Sequence, residues 1–114
     1  MIQHFADLAK SDAPLKGGKG TVAAASLLAL ADFNGKGRLF SHSVLKPGCS
    51  VGAHRHDGEM EVIYILKGQG HYDNNGTLEP VVAGDVTLCR DGESHMLENT
   101  SKEDLEFIAL ILFV

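Results

Sequence analysis

The chain has 114 residues, 44% of them hydrophobic and 22% charged, with a formal net charge of -5. That is length and apolar content for one domain with its own core, spanning residues 1–114. The acidic balance and the lack of a basic cluster exclude nucleic acid and anionic membrane as natural partners. Residues 1–20 read as an adaptable lead-in, with one helical turn over His4–Lys10 and a flexible break at Lys16-Gly17-Gly18-Lys19-Gly20. Thr21–Leu30 is ambiguous, because its alanines favour helix while its short length and flanking glycines allow a strand, and strand fits the remainder better. From Gly37 onward short strands alternate with turn residues. They are Arg38–Lys46, Ala53–His56, Glu61–Leu66, Gln69–Asp73, Thr77–Val82, Val86–Cys89, His95–Glu98 and Leu105–Val114. Asn74-Asn75-Gly76 is a hairpin signal, since Asn and Gly accept positive φ. Strands of this length with turns every 8–12 residues predict an all-β sandwich or barrel.

No charged start followed by an apolar run is found at the N-terminus, and no segment reaches the length of a membrane span. The two cysteines, Cys49 and Cys89, each stand alone, which suits free thiols in the cytoplasm and argues against a thiolate zinc site.

The chemistry concentrates in two blocks. The first runs Gly48-Cys49-Ser50-Val51-Gly52-Ala53-His54-Arg55-His56-Asp57-Gly58-Glu59-Met60-Glu61 and meets Gly68 further on. The second runs from Gly84 through Gly92-Glu93-Ser94-His95 to Asn99. Side chains alternate along a strand, so His54 and His56 share a face, as do Glu61, Ile63 and Ile65, and His95, Leu97 and Asn99. If these faces line one cavity, three imidazoles and a carboxylate converge above a floor of Ile and Leu. Such a set binds a divalent transition metal, Mn, Fe, Ni, Co or Zn. It leaves the ion a net positive charge suited to a small anionic or enol-forming ligand.

The first block resembles the first motif of the cupins at every fixed position: Gly48, His54, His56, Glu61 and Gly68. The second resembles their second motif at Gly84, Gly92, His95 and Asn99, with Arg90 standing where that motif has proline. More loosely, Asn34–Phe40 and Gly92-Glu93-Ser94-His95 are similar to small bacterial cupins of the sugar-isomerase type. The resemblance implies a jelly-roll barrel (a double-stranded β-helix), a metal held by His54, His56, Glu61 and His95, and dimerisation.

Beyond the quartet, three groups are candidates for acid/base work. Glu59 shares the parity of Glu61 and reads as a rim or supporting acid rather than a ligand. His42 points either into the cavity or away from it, which no sequence can decide without a register. His71 reads as a surface residue of the strand after Gly68. Arg55, between two ligands, points away from them into an ion pair, and Tyr64 has the opposite parity to Glu61. The run Phe107–Val114 is apolar on both faces, so its outer face is expected to be covered, most economically in a homodimer. Two kinds of function fit: a metal-dependent enzyme on a small oxygenated metabolite (isomerase, decarboxylase or dioxygenase), or a non-catalytic domain that binds or senses a small ligand.

Overall fold

A computed structural model describes residues 1–114, and ten strands carry nearly all of its regular structure. In chain order these are β1 (Lys10–Ala13), β2 (Val22–Ser26), β3 (Gly37–Leu45), β4 (Ser50–Arg55) and β5 (Glu59–Lys67). They continue as β6 (Gln69–Asn74), β7 (Thr77–Val82), β8 (Val86–Cys89), β9 (Ser94–Glu98) and β10 (Leu105–Phe113). Two short 3-10 turns, Phe5–Asp7 and Leu30–Phe33, complete the set. No helix is long and apolar enough to cross a membrane.

The strands form two antiparallel sheets, β1-β2-β3-β10-β5-β8 and β4-β9-β6-β7. The sheets face each other as a jelly-roll barrel, within the sandwich-or-barrel class expected from the turn spacing and as the cupin resemblance implies. The alternation of β10 is read directly in its burial: Leu105, Phe107, Ala109 and Ile111 are buried, while the residues between them are less so. Leu45, Ile65, Leu97 and Leu105 are fully buried between the sheets. Each such aliphatic side chain contributes about 1.5–3 kcal/mol by leaving water.

Two elements differ from the sequence expectation. The lead-in contains a strand, β1, whose four residues are all exposed. It is held by backbone pairing to β2 at the sheet edge, from Lys10 opposite Ala25 to Ala13 opposite Val22. The ambiguous Thr21–Leu30 stretch divides, with β2 ending at Ser26 and a 3-10 turn starting at Leu30. Alanine's helix preference yields here because β2 pairs on both sides and Val22 and Ala25 are buried.

The last motif residue, Asn99, is part of the frame. Its side chain is wholly buried and donates to the carbonyls of Leu45 at 2.8 Å and Glu103 at 2.6 Å. Its amide oxygen accepts from the backbone and hydroxyl of Ser101. One residue thereby satisfies the turn into β10 and ties it to the end of β3.

Candidate metal centre

Four side chains meet between the two sheets. His54 projects from β4 and His95 from β9, and these two are cross-strand partners. Glu61 comes from β5, in the opposite sheet. His56 lies just past β4, where its backbone is pinned on both sides: its N–H donates to the Glu93 carbonyl at 3.0 Å, and its carbonyl accepts from Gly92 N–H at 2.7 Å. The ligand atoms of His54, His56, Glu61 and His95 all lie within 4.8 Å of one another.

The Nε2 atoms of His54, His56 and His95 are separated by 3.1, 3.1 and 3.2 Å. Glu61 Oε1 lies 2.9 Å from His56 Nε2, 3.0 Å from His95 Nε2 and 3.9 Å from His54 Nε2. Each ring's other nitrogen has its own partner. Nδ1 of His54 is 2.7 Å from the Gly52 carbonyl, Nδ1 of His56 is 2.8 Å from Glu59 Oε1, and Nδ1 of His95 is 2.9 Å from the Tyr72 hydroxyl. A carbonyl and a carboxylate can only accept, so His54 and His56 carry their protons on Nδ1. Their Nε2 lone pairs then point at each other and at a carboxylate. Donor atoms this close and this dry are well placed to share a cation. The donor set thus fits a divalent metal.

The charges agree. Burial pushes the Glu61 carboxyl up, while positive charge or protons on the facing His54, His95 and His56 rings pull it down, and the balance lies at about 2. The Arg38 guanidinium, hydrogen-bonded to Glu59, holds that carboxyl at about 2 as well. Both are carboxylates at neutral pH. Burial raises the Tyr72 hydroxyl well above its ordinary range, so it stays a neutral phenol behind His95. Cys89, across from Glu61 on β8, is buried and pushed up to about 11, chiefly by that burial. It is an inert thiol and unpaired with Cys49.

The cluster forms one wall of a cavity of about 210 Å³. Ile63 and Leu97 line it, as the alternation requires, together with Phe107 and Ile111. Apart from the quartet, its titratable lining groups are Lys16 and Arg38. Both are cations.

The acid/base candidates fall elsewhere. His42 sits on the outer face of β3, 3.2 Å from Glu106 and edge-on to Phe5. The reason is register: β3 sends Leu39, Ser41 and Ser43 to the cavity, so the residues between them turn away. His71 bonds Thr100 Oγ1 at 2.8 Å on the outside of β6, whose buried residues are Gly70 and Tyr72. Glu59 stands behind His56 and not in the cavity lining. Arg55 pairs with Asp57 at the surface.

Sequence reasoning missed Tyr72 and Arg38, which contact the site through His95 and Glu59. The parity of Tyr72, opposite to His71, was the available signal. The departure at Arg90 also finds its reason. Its backbone N–H, which proline would lack, donates to Glu93 Oε1 at 2.7 Å, while Asn75 binds Glu93 Oε2 at 2.8 Å. The turn before His95 is therefore stiffened by hydrogen bonds.

A jelly-roll barrel with three histidines and a glutamate converging on its inner cavity defines a class of small metal-site barrels. The pattern described as cupin domain matches residues 41–111, and the chain belongs to the cupin family. It is 48% identical over 100 residues to the oxalate-binding protein of Thermotoga maritima, covering 88% of this chain and 83% of that protein. A crystal structure from Thermotoga maritima, described as a predicted oxalate decarboxylase, superposes with a TM-score of 0.95 at 43% identity over 100% of both chains. The polyketide cyclase RemF of Streptomyces resistomycificus shares the fold at 19% identity, with a TM-score of 0.80 over 99% of this chain and 78% of that one.

Proposed function

We propose that this cupin binds oxalate, or a closely similar small dicarboxylate, through a divalent metal held by His54, His56, Glu61 and His95. The observation that carries the reading is the set of donor separations. Ligand atoms ~2.1 Å from a common ion lie ~3 Å apart at right angles and ~4.2 Å apart when opposite. Five of the six separations run from 2.9 to 3.2 Å and the sixth, His54 to Glu61, is 3.9 Å. Those separations would let all four side chains reach one divalent ion and would leave it open on the cavity side. An ion so placed would have room on the cavity side for a ligand with two neighbouring oxygens. Three neutral imidazoles and one carboxylate leave a dication with a charge near +1, and Lys16 at the wall adds to the attraction for a dianion, while Arg38 is neutralised by Glu59. The 48% identity to a protein named for oxalate binding points the same way.

Bound, the metal supplies a Lewis acid that holds and polarises carboxylate oxygens. The chain's own residues supply the rest. Gly52, Glu59 and Tyr72 hold the imidazole rings in place, and Ile63, Leu97, Phe107 and Ile111 keep the floor dry. Sugar isomerisation needs a base beside the ligand, and His42 and His71 face outward while Glu59 is engaged by His56 and Arg38. Isomerase chemistry is accordingly disfavoured. A second reading, metal-dependent decarboxylation, draws on the relative described as a predicted oxalate decarboxylase. Loss of carbon dioxide leaves an electron pair that must be protonated, and the lining outside the quartet carries no carboxylic acid or further histidine, so that proton would have to come from solvent.

The test is calorimetric titration of oxalate into protein loaded with Mn(II), and into the same protein after chelation. Saturable binding by the loaded form alone, with succinate much weaker, is the expected result. A loaded protein that ignores oxalate overturns the proposal, and release of formate during the titration selects the catalytic reading.

The unpaired thiols suit a reducing compartment such as the cytoplasm. The outer face of β10, β5 and β8 suits a homodimer. Tyr64, Leu66, Val86 and Leu88 are exposed there, in register with Ile108 and Leu110 of β10 through Tyr64 and Val62. Light scattering after size exclusion should give twice the 12.2 kDa chain mass, and Tyr64→Glu should return it to monomer. A monomer at micromolar wild-type concentration would count against the dimer.

A further inference from the structure

Arg38 occupies a place its strand parity would deny it. In β3 the residues Leu39, Ser41 and Ser43 line the cavity, and His42 faces outward to Glu106. Arg38 has the parity of His42. Pairing of β3 with β10 sets Leu39 opposite Ile111 and then Gly37 opposite Leu112, so Arg38 is left out of register. An extra residue of this kind is a β-bulge, and a bulge re-aims a side chain. The re-aimed guanidinium joins the cavity wall and reaches past β10 to Glu59 on β5, which is paired with Phe113. The contact is a two-point fork, Nε to Oε2 at 2.7 Å and Nη2 to Oε1 at 2.8 Å. The same Oε1 accepts from His56 Nδ1 at 2.8 Å.

We propose that Arg38 is a positioning residue for the metal ligand His56, acting through Glu59. The inference rests on the metal reading above. An ion pair with an arginine this exposed adds little to stability, so its consequence must be sought in what it orients. The planar fork fixes both oxygens of Glu59 and hence the plane of the carboxylate. Oxygen Oε1 is thereby held at Nδ1 of a ring that is itself almost wholly buried. The proton stays on Nδ1, the ring keeps its angle, and the Nε2 lone pair stays aimed at the point shared with His54, His95 and Glu61. Without the fork, Glu59 near the barrel rim has other rotamers and water to bond. A lysine cannot substitute, because one ammonium cannot hold two oxygens in a plane.

The experiment titrates Co(II) into the chelated wild type, Arg38→Lys, Arg38→Met, Glu59→Ala and the Arg38→Met/Glu59→Ala double variant. Affinity is read together with the visible absorption bands of the bound ion, and the thermal midpoint of each metal-free protein checks folding. Arg38→Met and Arg38→Lys should both weaken Co(II) by roughly tenfold or more and shift the bands. The double variant should bind no more weakly than Glu59→Ala alone, because both changes cut one chain of contacts. Wild-type affinity and bands in Arg38→Met overturn the proposal, as do losses that multiply in the double variant. A wild type that takes up no Co(II) overturns the metal reading first and this one with it, so the two failures are told apart.

Discussion

Replacing His95 with alanine is expected to strip most of the bound divalent metal and to lower the melting temperature of the metal-loaded protein by roughly 10 °C. The site joins the two sheets: His54 and His95 stand on the β4-β9 pair, and Glu61 stands on β5 opposite. A metal bound there ties one sheet to the other, so its binding free energy is also folding free energy. At a free concentration 100 times its dissociation constant, a ligand specific to the folded state adds about 2.7 kcal/mol. For a chain of this size that corresponds to roughly 10 °C. Removing the metal from the wild type should cost the same increment. The metal-free variant and the metal-free wild type should lie much closer together, since the substitution also relieves a crowd of acceptors with no cation among them. Elemental mass spectrometry with calorimetry on both forms reads all of this, with His54→Ala as a second ligand variant. Unchanged metal content in both variants would refute the assigned ligands.

That the quartet could be read from sequence at all follows from alternation. Glu61 and His95 lie on strands whose inward partners, Ile63 and Leu97, are ordinary buried aliphatics, so one parity fixes both core and ligand there, while His54 shares its face with His56 and follows an irregular step after Val51. What was not legible depends on register and on edges. The strand β1 is exposed at every residue and is held by main-chain bonds alone, which leave no hydrophobic pattern. The outward turn of His42 is decided by its pairing with Ile108, more than sixty residues away in the chain. The inward turn of Arg38 is decided by a bulge, for which Gly37 at the start of the strand is only a weak signal. Tyr72 was hidden for a related reason. Its hydroxyl meets His95 because β6 lies beside β9, with Tyr72 opposite Leu97. Local pattern gives the parity of a strand, while the order of strands in a sheet decides which ligand a supporting side chain reaches.

Gly52→Ala should be among the most damaging small changes on the chain outside the ligands, costing about 3 kcal/mol and loosening the metal as well. Gly52 is buried in β4, within the irregular step that separates the Val51 and His54 pairings. A methyl group there would land on the Lys16 carbonyl oxygen and crowd the Gly18 amide. Both are backbone atoms, so no side chain can swing aside. Gly18 meets the Ser50 carbonyl in the same close manner, and Gly52 N–H donates to the Leu15 carbonyl at 3.1 Å. The segment from Leu15 to Gly18 is therefore laid main chain against main chain on β4. Two functions converge at that contact. Pro14, Leu15 and Lys16 form part of the cavity wall, and the Gly52 carbonyl is the 2.7 Å partner that orients His54. Pushing the two backbones apart must move the wall, the carbonyl, or both. The expected result is a loss of roughly 10 °C in the metal-free protein, with a separate fall in metal affinity. Ala53→Ser, one residue along and exposed, should change neither by more than a small fraction of this. A Gly52→Ala protein with wild-type stability would show that the segment yields to a methyl group without cost, and would remove the link drawn between the cavity wall and the orientation of His54.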